Sequence, residues 1–170
     1  NPNRGFILAF AELMQSITSV SIFPEEEGVI LVGTKKGVFG NITFNILEEK
    51  YAKQEWFHLE NFEDEIIDIQ PHMNDSLILT TAKKVFLINY ERQKNKTLQI
   101  RDKRVLYSTD NNIIQIDVTE TKLLVTTFRS YFIVSIFGQE CVQVGTKEKQ
   151  GIFGSVFYND GISNQAQSQE

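Results

Sequence analysis

Apolar and polar residues alternate along this chain in short runs rich in Ile, Val, Phe and Thr, and turn residues interrupt them about every eight to twelve positions. Glu27-Gly28, Asn74-Asp75 and Thr119-Glu120-Thr121 are such interruptions. No stretch sustains a 3.6-residue period, so the pattern predicts strands and almost no helix. In the first part of the chain the strands are expected at 17–23, 29–34, 38–46 and 54–60.

The pattern also repeats. Residues 18–45, TSVSIFPEEEGVILVGTKKGVFGNITFN, keep register with residues 65–92, EIIDIQPHMNDSLILTTAKKVFLINYER, at a spacing of 47. On that alignment Val20, Ile22 and Pro24 fall on Ile67, Ile69 and Pro71, Ile30 and Val32 on Leu77 and Leu79, and Phe39 on Phe86. A third copy, residues 112–140, places Ile114 and Ile116 another 47 positions on, then Thr127 and Phe132 at 46 from Thr81 and Phe86 because its first turn is one residue shorter.

Four antiparallel strands recurring at about 40–50 residues are the signature of a β-propeller blade. The expected fold is all-β, a WD40-like β-propeller segment of about three to three and a half four-stranded blades. It is a partial propeller, since a closed ring typically has about four to eight. Residues 1–161 are assigned to it, with blades at about 17–62, 65–102 and 111–147 and the start of the next at 151–161; residues 162–170 are a polar tail or linker. Val20, Ile22, Ile67, Ile69, Ile114 and Ile116 are expected on buried inner strands, Pro24 and Pro71 just past them, and Trp56 packed between neighbouring blades. The Gly-His and Trp-Asp hallmarks of WD40 repeats are missing, which makes these blades degenerate.

Composition narrows the function. With 41% apolar and 23% charged residues the chain lacks the signature of disorder. A net charge of −5 argues against nucleic acid as a partner, because phosphate binding needs a surplus of Lys and Arg. Bases do cluster locally, at Lys83, Lys84, Arg92, Lys94, Lys96, Arg101, Lys103 and Arg104 against Glu91 and Asp102, and are read first as solvated loop and edge-strand charges. An anionic membrane or an acidic partner is the alternative use. The single Cys141 rules out an internal disulfide or a multi-Cys zinc site and fits a reducing compartment. The sequons at Asn41, Asn74 and Asn95 are short enough to arise by chance. No apolar run approaches the roughly 20 residues of a membrane span. The start, NPNRGFILAFAELMQ, lacks the features of a signal peptide and an initiator Met, so the chain is expected to be a piece of a longer protein.

Catalysis is not expected. The histidines are His58 and His72, no nucleophile elbow or phosphate loop occurs, and Glu25-Glu26-Glu27 lacks the alternating spacing of a calcium loop. No cofactor, metal or small-molecule substrate is anticipated. A candidate binding surface is the turn in TTFRSYF, residues 126–132, where Phe128, Arg129 and Tyr131 combine the side-chain types that dominate interface energetics. The corresponding turns, GTKKGVF and TTAKKVF, are merely basic.

The stretch Leu123-Leu124-Val125-Thr126-Thr127, followed by Gly145-Thr146-Lys147-Glu148-Lys149-Gln150-Gly151-Ile152-Phe153-Gly154-Ser155-Val156-Phe157-Tyr158, carries a further signal. Residues 122–158 resemble, without a gap, the end of the N-terminal WD40-like propeller of the Hermansky-Pudlak syndrome type 5 protein family, and more distantly the tectonin β-propeller repeat proteins. The glycines, both basic positions and the aromatics match, whereas Gln150 stands for an Asp, Val156 for a Cys, and Arg129 lies one place early. The resemblance implies a non-catalytic subunit of a complex for biogenesis of lysosome-related organelles, cytoplasmic and peripheral to endosomal membranes, with protein subunits as partners and a role in cargo trafficking. One alternative is a phosphoinositide-binding propeller, whose family resembles this chain only weakly, since FRSY offers one Arg where that family has a Phe-Arg-Arg-Gly pair. Another is a different WD40-like scaffold, such as an autophagy or secretory-pathway tectonin-type protein.

Overall fold

A computed structural model of the chain describes residues 16–24, 26–45, 50–95, 97–147 and 155. The described residues form twelve strands in three antiparallel sheets and no helix. The first sheet contains β1 (Ile17–Ile22), β2 (Val29–Thr34), β3 (Phe39–Asn45) and β4 (Lys50–Phe57). The second contains β5 (Ile66–His72), β6 (Ser76–Thr81), β7 (Lys84–Arg92) and β8 (Leu98–Ser108), and so runs past residue 102. The third contains β9 (Ile113–Val118), β10 (Lys122–Thr127), β11 (Ser130–Ser135) and β12 (Cys141–Thr146). In each sheet the strands lie side by side in chain order. Three consecutive four-stranded meanders, packed face to face, are three blades of a partial propeller. The expected strand at 151–161, apart from Ser155, and the tail at 162–170 lie outside the described residues.

Strand alternation gives each blade one face toward the preceding blade and one toward the following blade. Val29, Leu31 and Phe39 of the first blade meet Ile66, Ile69, Leu77, Leu79, Phe86 and Ile88 of the second. Ile78, Val85 and Leu87 of the second meet Ile113, Ile116, Leu123, Val125 and Val134 of the third. Val32 and Ile42, with Ile17, Ile30 and Trp56, form a smaller cluster on the other face of the first blade. Trp56 therefore packs on the side away from the second blade.

The ladders correct the repeat alignment in the first blade. Ile22 pairs with Ile30 but Pro71 pairs with Leu77, so the first hairpin encloses residues 23–29 where its counterpart encloses only 72–76. Val20, paired with Val32, is thus the counterpart of Ile69, paired with Leu79, and of Ile116, paired with Val125. Pro71 lies inside β5, an edge strand where a missing backbone donor is tolerated, and Pro24 lies in the turn after β1. The extra length folds Phe23 into the first junction, beside Tyr90 at 6.4 Å and under the Arg92 guanidinium at 5.8 Å.

A second slip occurs one turn later. Gly33 pairs with Phe39 across residues 34–38, whereas Thr80 pairs with Val85 across 81–84. The additional residue is accommodated at Gly37, whose φ of 79° suits glycine. Phe39 consequently matches Val85, and Gly40 takes the place of Phe86 and Phe132. Gly40 lies opposite Trp56, where a Cβ would run into the Glu55 carbonyl and the indole. The bulky aromatic of this face has moved from the third strand to the fourth.

Burial at the inner strands follows position in the stack. Ile69 and Ile116 are 0% and 6% exposed, as expected. Val20 and Ile22, expected to be buried, are instead 50% and 75% exposed, because the face that covers Ile69 and Ile116 belongs to a preceding blade. Polar ties reinforce the junctions. The Thr18 hydroxyl donates to the Ile66 carbonyl, the Leu98 N–H donates to Glu55 Oε2 at 2.8 Å, and Arg92 pairs with Glu26. Between the second and third blades, His72 Nε2 donates to the Glu120 carbonyl at 2.9 Å and Arg104 donates to the Ile136 carbonyl.

Candidate functional site

The second strand of every blade ends in a buried threonine that builds the hairpin behind it. Thr127 Oγ1 accepts the N–H groups of Arg129 (3.3 Å) and Ser130 (3.0 Å) and donates to the Ser130 carbonyl at 3.1 Å. Thr81 Oγ1 accepts those of Lys83 (3.4 Å) and Lys84 (3.1 Å), and Thr34 Oγ1 donates to the Val38 carbonyl at 2.8 Å. A hydroxyl bonding the next few backbone groups is a compact way to turn the chain. The threonines of the repeat are thus turn-formers.

These hairpins share a rim with the crossings between blades. The Phe128 N–H donates to the Asn112 carbonyl at 3.1 Å, Ile113 N–H to Ala82 at 2.8 Å and Thr109 N–H to Lys83 at 2.9 Å. Lys35, Lys36, Lys83, Lys84 and Arg129 stand exposed on this rim, and Glu60, Glu63, Asp64 and Glu65 are exposed in the first crossing.

Phe128, Arg129 and Tyr131 do not converge on one spot. Phe128 is half-buried beside the crossing, and Arg129 is exposed at the tip, its carbonyl accepting the Lys147 N–H at 2.9 Å. Tyr131 belongs to the sheet, half-buried on the face away from the second blade, opposite Gly145. The Lys147 ammonium lies over its ring at 5.4 Å, and partial desolvation holds that lysine below its ordinary pKa. Phe39 and Val85, the ladder counterparts of Tyr131, are fully covered by the following blade.

The basic stretch of the second blade is largely taken up by the fold. Arg92 pairs with Glu26, Arg101 pairs with Glu91, Lys103 lies over the Phe86 ring at 5.8 Å, and Lys83 and Arg104 donate to the carbonyls of Asp110 and Ile136. This matches the reading as edge and loop charges better than a free anionic-membrane patch.

Comparison with known proteins adds little. No family model matches the sequence, and no curated protein does. Among solved structures, Kluyvelomyces marxianus Hsv2 matches at 10% identity with a TM-score of 0.45 over 76% of this chain. The chain spans 37% of the length of that protein. A likeness that weak carries no functional information, and the blade architecture stands on strand order and junction packing.

Other polar residues escaped the sequence reading. One position of each first strand pairs with one of each second strand on the face toward the following blade: Ser19 with Gly33, Asp68 with Thr80 and Gln115 with Thr126. The trace in the sequence is a polar residue interrupting each inner apolar run. Its partner, a dozen or so residues on, becomes visible only once the register is known. Among the described residues no group of three or more His, Cys, Asp or Glu side chains is placed to hold a metal ion.

Proposed function

We propose that the chain is part of a non-catalytic protein-interaction scaffold, a subunit of a complex for biogenesis of lysosome-related organelles that acts in endosomal cargo trafficking. Its partners are other protein subunits, and it works in the cytoplasm, peripheral to endosomal membranes. The observation that supports this most is the third hairpin. Arg129 is exposed at its tip, preceded by a half-buried Phe128 and followed on the adjoining sheet face by a Tyr131 ring under the Lys147 ammonium, whereas the other two hairpins present only lysines. Exposed Arg next to anchored aromatics is the composition of an interface hot spot, where truncation typically costs more than about 1 kcal/mol of binding.

Co-precipitation of the parent complex is the test. Arg129→Ala and Tyr131→Ala are expected to lose at least one protein partner while melting like wild type, and Lys36→Ala to lose none. Undiminished recovery of every partner with both hairpin variants would remove the hairpin from the reading. Phosphoinositide binding is supported by the rim of exposed cations, but a phosphate clamp works best with two guanidinium forks and the turn offers one. Flotation with phosphoinositide liposomes is expected to leave the chain unbound.

A further inference from the structure

The polar pairs at the inner ends of the junctions meet three different environments. At the first junction Ser19 and Gly33 face Ile66, whose side chain fills the space that a Cβ on Gly33 would need. On the third blade the hydroxyl of Thr126 bonds that of Ser155. Between the second and third blades, Asp68 and Thr80 instead face a cavity of about 290 Å3 lined by Ile67, Gln70, Ile114, Gln115 and Ile116.

Two features of this cavity call for a ligand. Thr80 is fully buried, and its Oγ1 has no protein hydrogen-bond partner, which is costly for a hydroxyl removed from water. Asp68 is half-buried with no ion-pair partner among the described residues; its side-chain contact is Gln70 Nε2, which donates to Oδ2 at 2.7 Å. Burial pushes the Asp68 carboxyl above its ordinary pKa, partly offset by the Gln70 and Ile69 hydrogen bonds, as expected for a carboxylate lacking a counter-charge.

The lining selects among cations. One carboxylate is too few for a calcium or magnesium shell, which takes six or more oxygens. A guanidinium prefers both oxygens of a carboxylate, and here Gln70 already engages Oδ2. An ammonium donates in any rotation, and the Asp68 carboxylate and the Thr80 hydroxyl, side by side on the second blade, offer it two acceptors. Ile67, Ile114 and Ile116 form apolar walls suited to a methylene stem.

We propose that the cavity between the second and third blades binds a primary ammonium on an alkyl stem, presented either by a lysine of a protein partner or by a free alkylamine. The site is separate from the Arg129 hairpin, so either can fail without the other. The 170-residue chain is melted in the presence of n-butylammonium, N-acetyl-lysine methylamide, n-butanol or n-butylguanidinium. Both ammonium compounds are expected to raise the melting temperature saturably, and butanol and butylguanidinium to do so far less. Asp68→Asn is expected to weaken butylammonium about tenfold and Thr80→Val about threefold, in line with losing a charged and a neutral hydrogen bond. The N-acetyl-lysine methylamide arm separates the sources: binding as tight as butylammonium points to a partner's lysine, and binding of butylammonium alone to a free amine. The proposal is overturned if neither ammonium stabilises the chain, if butanol matches them, or if Asp68→Asn binds like wild type.

Discussion

Val20 and Ile69 hold the same ladder position in successive blades, each paired with an apolar residue of its own second strand, yet one is half exposed and the other completely buried. Their own sheets treat them alike. The difference comes from the neighbour: Ile69 lies against Leu31 and Phe39 of the first blade, while the corresponding face of the first blade carries only the smaller cluster around Val32 and Ile42. In stacked repeats, alternation chooses the face of a side chain, and the next repeat along decides whether that face is dry.

The sharpest way to break this comparison is to truncate both residues. Ile69→Ala is expected to cost about 3–4 kcal/mol, the range for emptying a packed core site. Val20→Ala should stay under about 1 kcal/mol, as for surface substitutions. Urea melts of the two variants decide it. Equal costs would mean that the first blade is covered at Val20 in solution and that the open face does not exist.

Two glycines give the next contrast. Gly40 has Glu55 and Trp56 pressed against the position of a Cβ, whereas a Cβ on Gly145 would meet only the Tyr131 ring at an ordinary 3.6 Å. Gly40→Ala should therefore cost about 2 kcal/mol or more through overpacking, and Gly145→Ala less than about 0.5 kcal/mol. Gly40→Ala combined with Trp56→Leu should recover part of the loss, because the indole occupies the space that Phe86 and Phe132 fill in the other blades. A double variant no more stable than Gly40→Ala alone would count against that exchange.

These slips mark the limit of what the sequence discloses. The period-two pattern gave the strands, the three units and the absence of helix, because apolar alternation is strong and tolerates approximate boundaries. It misaligned β1 because a shift of two residues leaves every side chain on the same face, so Ile22 matches Ile69 as well as Val20 does. It misaligned Phe39 for the opposite reason: one extra turn residue at Gly37 flips the face, and nothing in the matching of Phe with Phe signals that. Arg129 was legible as an exposed turn residue. The pairing of Asp68 with Thr80 was not, because the two are brought together by a bulge between Ile66 and Asp68 that local composition does not announce.

A smaller effect separates the two junctions. The second is clasped by His72, whose Nε2 reaches Glu120 across the blades, whose Nδ1 lies 3.0 Å from Ser76 Oγ, and whose ring lies 6.0 Å from Phe137. His72→Phe keeps the ring packing and removes the bonds, so a loss of about 1–2 kcal/mol is expected. Hydrogen exchange should quicken at Ile136, which donates to the Thr121 carbonyl in the clasped turn, and stay unchanged at Lys35, which donates to Ser16 in the first blade. Uniform quickening across all three sheets would show that the blades open together, and the junctions could not then be compared separately.

The weakest expected effect concerns Asp68, counterpart of the neutral Ser19 and Gln115. Burial raises its folded pKa above 3.8, so the folded state holds the proton more tightly than the unfolded state. The stability this confers is complete below the unfolded value and is lost as pH rises through the folded one. At neutral pH the charged side chain is therefore a burden that Gln115 does not impose on the third blade. Asp68→Asn should be the more stable protein at pH 7, and its advantage over wild type should shrink as pH falls toward 4 and below. Saturating butylammonium should also shrink it at pH 7, by stabilising the wild type more than the variant. An advantage independent of pH would show that the carboxylate already has its counter-charge within the chain, and the middle junction would then be no different from the other two.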